Sequence, residues 1–215
     1  MREERGARFT FFALWMALLV AKVAIASRLP LFVDEAFYWQ ESRHLAAAYS
    51  DLPGLTAWLI ALGTALGGDS LLGVRWPFLA LGSLLPWLVV RLAWPRGALP
   101  AWRAGLLALF FPLSGFLGVL ALPDVPMNLA AALCLLGGAR VLRGVDWAAV
   151  AWLALGLIVG ALSHYQFVGV IAVGMVALLI SALLLAARVH LVFGEIDRND
   201  LMLRDTMADL VRARD

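Results

Sequence analysis

The feature that most limits what this chain can fold into is a succession of apolar runs of membrane-crossing length. A helix needs about 20 mainly apolar residues to cross about 30 Å of hydrocarbon. Six stretches meet or approach that length: residues 9–26, 71–94, 104–122, 125–142, 147–163 and 167–187. A seventh, residues 55–66, is too short to span and suits a helix lying in the interface. Composition agrees, with 63% hydrophobic and 15% charged residues, against about 45–50% and about 25% in soluble domains. The pattern predicts an all-α membrane protein with six transmembrane helices and two short interfacial helices in the first external loop. The first run lacks a small-residue cleavage site before the polar loop, so it reads as a span rather than a signal peptide.

Arginine placement sets the orientation. With the N-terminus inside, Arg2, Arg5 and Arg8, then Arg91, Arg96 and Arg103, then Arg140 and Arg143 all fall on the cytoplasmic side, joined by Arg188 and the arginines of the tail. The other side receives Arg28, Arg43 and Arg75, a strong positive-inside bias. The expected setting is a bacterial inner membrane, with both termini cytoplasmic and the polar corners outside. The chain divides into a transmembrane domain, residues 1–188, with an external loop at 28–70, and an amphipathic cytoplasmic tail, residues 189–215. In that tail Leu203, Met207, Leu210 and Val211 share one helical stripe. The net charge is +2, and no basic face is dense enough to imply a nucleic-acid partner. Cys134 stands alone in an apolar run, which excludes an intramolecular disulfide and a cysteine-based metal site.

Charge outside the ends is concentrated in one segment, residues 31–53, where Asp34, Glu35, Glu41, Arg43, His44 and Asp51 are interleaved with Phe37, Tyr38, Trp39 and Tyr49. In a chain this apolar, such a segment belongs where water or a polar ligand reaches it. Asp34 is placed to cap a helix, on which Tyr38, Ser42, Leu45 and Tyr49 would form one stripe of a surface-lying amphipathic helix. Asp51, Pro53 and Gly54 then turn the chain, Gly67 and Gly68 stop the short helix, and Asp69 and Ser70 can cap the second span. Lys22 lies near the outer end of the first span. It either snorkels to the interface or faces the same cavity as Asp34, since charge inside a span usually faces protein or water.

With that orientation Asp34, Glu35, Asp51, Asp124 and His164 all fall at external corners. A carboxylate at a partly apolar interface can serve as a general base, because burial and neighbouring charge tune its proton affinity. A pair of them, Asp34 and Asp124, could instead hold a divalent metal ion, which prefers oxygen ligands. The same residue types also make ordinary caps and turns, and residue chemistry alone does not separate these readings.

The stretch from Asp34 onward resembles the start of the polytopic glycosyltransferases of the protein-mannosyltransferase and aminoarabinose-transferase-like family, the class C membrane fold that uses lipid-linked sugars. The likeness rests on Asp34-Glu35 followed by Tyr38-Trp39, and on the turn residues Tyr49, Asp51, Pro53 and Leu55. It continues through Gly68, Asp69 and Arg75, the corner Pro123-Asp124-x-Pro126, and Leu162-Ser163-His164-Tyr165. It covers roughly residues 9–185, and two positions depart from the pattern. Gly54 stands in place of a second proline, which predicts a looser turn, and His164 stands in place of a lysine, which would make its charge depend on pH.

The resemblance implies transfer of a sugar from a polyprenyl-phosphate donor to an extracytoplasmic lipid, glycan or protein acceptor, with inversion. It makes Asp34 the general base, with Glu35 and Asp124 shaping the site or helping to bind a metal or the acceptor. It offers Arg43, Arg75 and His164 for the donor phosphate, arginine because its planar fork matches phosphate oxygens, and Tyr38, Tyr49 and Asp51 for substrate contact. Such enzymes usually carry further spans, so the chain is also compatible with a non-catalytic relative that binds membrane lipid or a partner subunit supplying missing helices. A small transporter is a third reading, for which polar midplane residues and paired broken helices would be needed.

Overall fold

The computed structural model describes the backbone of residues 1–111 and 115–212, and among these residues the regular structure is helical. The helices are α1 (Arg2–Ala26), α2 (Val33–Glu41), α3 (Leu55–Gly67), α4 (Leu71–Ala93), α5 (Ala98–Phe110), α6 (Asp124–Val141), α7 (Trp147–Ser163) and α8 (Phe167–Arg212), with a single 3₁₀ turn at Trp94–Arg96. Among the described residues, three stretches are long and apolar enough to cross a membrane: Arg2–Ala26, Leu71–Arg96 and Phe167–Leu191. Leu55–Gly67, Ala98–Phe110 and Trp147–Ser163 are apolar but shorter. The chain divides into two compact units, residues 1–170 and 171–215. Residues 171–212 of the second are helical, within α8, and of the expected tail stripe the side chains of Met207, Leu210 and Val211 lie outside the described residues.

Within the first unit, α1 and α4 run antiparallel, and their register is explicit. Arg75 donates to the Ala26 carbonyl at 2.8 Å, Trp15 Nε1 donates to the Ser83 carbonyl at 2.9 Å, and the Phe11 and Trp87 rings meet edge-on at 5.0 Å. Helix α5 closes against both, because Gly105 carries no Cβ where one would overlap Val90 and Phe11. This end is filled by Phe11, Val90, Ala101, Trp102 and Leu109. The other end is filled by Ile60, Val74, Phe78, Leu117, Ala121 and Val125, drawn from α3, α4, α6 and the connector before α6. Helices α6 and α7 pack closely because Gly137 lies on the Leu153 backbone and Gly156 on Ala130 and Cys134.

The expected third span, residues 104–122, is not one helix. Helix α5 ends at Phe110, and beyond a short helical turn at residues 115–116 the chain continues as turns and bends to residue 123; Pro112 lies outside the described residues. This irregular stretch lies against the middle and N-terminal half of α4. At Gly118 (φ +92°) a Cβ would overlap the Phe78 carbonyl, and at Gly82 one would overlap the Leu117 carbonyl. Non-helical backbone at membrane depth is tolerated only where protein or water satisfies its polar groups. Here protein does so. Lys22 Nζ donates to the Leu117 carbonyl at 2.9 Å, and the Glu35 carboxylate accepts from the Ala121 N–H at 2.8 Å. Lys22 therefore neither snorkels nor faces a cavity: it is buried at 4% exposure and caps a broken helix.

The first loop also differs from expectation. Helix α2 stops at Glu41, so Tyr38, Ser42, Leu45 and Tyr49 do not form one stripe. Its N-cap is Phe32, which moves Asp34 to the second helical position and Glu35 to the third. Ser70 does cap α4, accepting from Gly73 N–H at 3.0 Å, while Asp69 pairs with Arg43 at 3.1 Å. The turn around Gly54 is tightly tied rather than loose. Gly54 N–H donates to the Ala47 carbonyl at 3.0 Å, a bond that proline could not make. Trp58 Nε1 folds over Gly54 to reach the Ala46 carbonyl at 2.8 Å, and a Cβ at Gly54 would sit 2.7 Å from that indole.

Candidate active site

The site is organised on a buried ion pair. Glu35 and Arg75 are both fully buried. Arg75 Nε and Nη2 reach the two Glu35 oxygens at 2.7 and 2.5 Å. Its remaining donors go to the carbonyls of Ala26 (2.8 Å), Leu29 (2.6 Å) and Pro30 (2.9 Å) where α1 gives way to α2. Glu35 in turn accepts from Phe32 N–H at 2.9 Å and from Ala121 N–H at 2.8 Å. All five guanidinium donors and both lone pairs of each carboxylate oxygen are thus engaged. Burial by itself would raise the Glu35 carboxyl; the Arg75 guanidinium and the two backbone N–H groups outweigh it and hold the pKa below its ordinary value. Such saturation suits a structural joint, and it leaves Arg75 no donor for a donor phosphate. The Glu35 oxygens are likewise all engaged by protein donors.

The joint fixes what surrounds it. Glu35 sets the first turn of α2, so Asp34 is turned outward and exposed, with Tyr38 and Glu41 following on the same helical face at i+4 and i+7. Through Ala121 it also fixes the connector, and Asp124 follows three residues later as the exposed first residue of α6. Asp51 arrives from the turn before α3. These groups converge on the half-buried Tyr38 phenol, whose pKa is pushed up by burial and then by the negative charges of Asp34, Glu41, Asp51 and Asp124. Glu41 is likewise raised, by burial first and by Asp51 second. Asp34, Asp51 and Asp124, distant in the chain, therefore share one electrostatic neighbourhood.

The other expected residues are placed differently. Tyr49 is a loop fastener: its hydroxyl lies 3.1 Å from the Glu41 carbonyl and 3.0 Å from that of His44, and accepts from Ala46 N–H at 3.1 Å. Arg43 is half-exposed, stacks over Trp39 at 5.4 Å and pairs with Asp69 across an open groove lined by Ser42, Thr64 and Asp69. His164 caps the end of α7, half-buried, with Nδ1 accepting from Gln166 N–H at 3.0 Å. That bond leaves Nε2 as the nitrogen able to carry the proton outward. Among the described residues no group of three or more His, Cys, Asp or Glu side chains is arranged to hold a metal ion. Glu41 is the acidic neighbour that motif reading passed over. Its signal was the i, i+4, i+7 spacing of Asp34, Tyr38 and Glu41.

A family model described as dolichyl-phosphate-mannose-protein mannosyltransferase matches residues 51–194, about two-thirds of the chain. The matched stretch takes in Asp51, Asp69, Arg75, Asp124 and His164 and begins after the Asp34–Glu35 pair. No curated protein and no solved structure gives a match. The helical bundle with its membrane-length helices and the match together assign a membrane glycosyltransferase family: the chain belongs to the dolichyl-phosphate-mannose-protein mannosyltransferase family.

Proposed function

We propose that this protein transfers a sugar from a polyprenyl-phosphate donor to an acceptor at the external membrane face, with inversion at the anomeric carbon and with Asp34 as general base. The observation that carries the reading is the convergence of Asp34, Asp51 and Asp124 around Tyr38, beside a joint that fixes Asp34 outward. The family match supplies the reaction class and a lipid-linked sugar as donor. In the step, the acceptor hydroxyl gives its proton to the Asp34 carboxylate as its oxygen bonds the anomeric carbon. The bond from that carbon to the phosphate oxygen breaks on the opposite face, and the polyprenyl phosphate leaves with the negative charge. Asp124 and Tyr38 hold the acceptor, Tyr38 as a neutral donor because its phenol stays protonated. Arg43 and His164 are the groups we assign to the departing phosphate, since Arg75 is committed to Glu35.

The test is incubation of the purified protein with radiolabelled polyprenyl-phosphate sugars and membrane extract as acceptor source. General bases contribute about 10²–10⁴-fold, so Asp34→Asn is expected to lower transfer by about that factor while leaving the thermal midpoint unchanged. Transfer by Asp34→Asn at the parent rate contradicts the assignment.

A further inference from the structure

The end of the first unit opposite the acidic site carries a mostly unpaired basic rim that the glycosyltransferase reading does not use. The cluster that joins Ala7, Val90, Ala93, Ala98 and Trp102 brings together the start of α1, the end of α4 and the start of α5. Arg8 adjoins Ala7, Arg91 adjoins Val90, Arg96 sits in the 3₁₀ turn between Ala93 and Ala98, and Arg103 adjoins Trp102. With Arg2 and Arg5 they are six exposed arginines, set against two acidic residues, Glu3 and Glu4. Arg103 meets Glu3 at 3.5 Å, whereas Arg5, Arg8, Arg91 and Arg96 have no ion pair among the described residues.

A second observation fixes the nature of the partner. On each helix the exposed surface changes from arginine to hydrocarbon within about one to two turns. On α1, Arg8 is followed by Phe9 (76% exposed) and Phe12; on α5, Arg103 is followed by Leu107 (70% exposed). On α4, exposed Leu84 precedes Arg91, and half-exposed Trp94 stands between Arg91 and Arg96, 6.0 Å from Trp102. Tryptophan at such a boundary marks the headgroup level of a bilayer. A basic rim that runs without a break into exposed hydrocarbon fits a phospholipid. An acidic protein or a nucleic acid would need a polar surface continuing beyond the arginines.

We propose that this rim is a docking face for anionic phospholipid headgroups of the cytoplasmic leaflet, with the arginines neutralising phosphates while Phe9, Phe12 and Leu107 lie along the acyl chains. The inference stands independently of the transfer reaction. Each surface arginine contributes about 1 kcal/mol against an anionic leaflet, which is about fivefold in affinity. The probe is brominated phosphatidylglycerol against brominated phosphatidylcholine, titrated into the full-length protein in neutral detergent, with quenching of tryptophan fluorescence as the readout. The wild type should take up phosphatidylglycerol with at least tenfold preference, and added salt should weaken that preference. The Arg8→Gln/Arg91→Gln/Arg96→Gln variant should lose it, whereas Arg28→Gln, exposed at the opposite end, should keep it. Because these side chains are exposed, the thermal midpoint of each variant serves as a check that the fold is intact. Equal uptake of the two lipids by the wild type, or a preference that survives the triple substitution, overturns the proposal.

Discussion

Replacing Arg75 by methionine probes the joint on which the site is built. The substitution keeps much of the volume and removes every donor. Glu35 then remains buried with two lost bonds, and the carbonyls of Ala26, Leu29 and Pro30 lose theirs. Leaving one partner of a buried pair without the other costs about 3–5 kcal/mol. Leu29 and Pro30 sit where the chain is partly exposed, so water replaces part of what they lose, and the net loss should be about 4 kcal/mol. For a chain of this size, about 2–4 °C per kcal/mol puts the fall in thermal midpoint at about 8–16 °C. Circular dichroism of the protein in detergent micelles measures it. Arg75→Lys should fall between the two, because three ammonium donors cannot serve five acceptors. Adding Glu35→Gln to Arg75→Met removes the stranded charge, so the double variant should be more stable than additivity allows by at least about 1 kcal/mol. A midpoint for Arg75→Met within about 2 °C of the parent, or strict additivity in the double variant, would refute the argument.

The same pair makes stability depend on acid. The folded Glu35 carboxyl lies below its ordinary value, so its contribution is complete above the unfolded pKa of about 4.3 and is lost as pH falls through the folded one; a pH series of midpoints should show this limb, and Glu35→Gln should flatten it. Lys22→Met strands the Leu117 carbonyl and should cost about 1–3 kcal/mol, read from the same melts. Gly118→Ala forces a Cβ into the Phe78 carbonyl at φ +92° and should destabilise by more than Gly138→Ala, where nothing lies within 4 Å.

Much of this architecture was legible because hydrocarbon composition is a local signal. The order of apolar helices, the stop at Gly67–Gly68, the Ser70 cap and the placement of Asp34, Asp51 and Asp124 at polar corners all follow from residues near one another in the chain. What was not legible is long-range. Lys22 answers a carbonyl at Leu117, and Glu35 answers an arginine 40 residues away, so neither partner is visible in a window of sequence. The break after α5 is hidden for a related reason: buried irregular backbone is as apolar as a spanning helix, and only its polar partners distinguish the two. Gly54 was misread because glycine was weighed for its freedom, whereas here its N–H and its missing Cβ are what the turn uses.

The central claim is that Asp34, Asp51 and Asp124, brought from three parts of the chain, share one acidic neighbourhood at Tyr38. The most direct measurement is NMR titration of the tyrosine ζ-carbon resonances in isotopically labelled protein, assigned by substitution of each of the three tyrosines. Tyr38 should ionise above the ordinary tyrosine value, and Asp34→Asn, Asp51→Asn and Asp124→Asn should each lower it. A Tyr38 titration that is ordinary, or that ignores Asp124→Asn, would mean that these carboxylates do not meet and that the proposed site is not assembled.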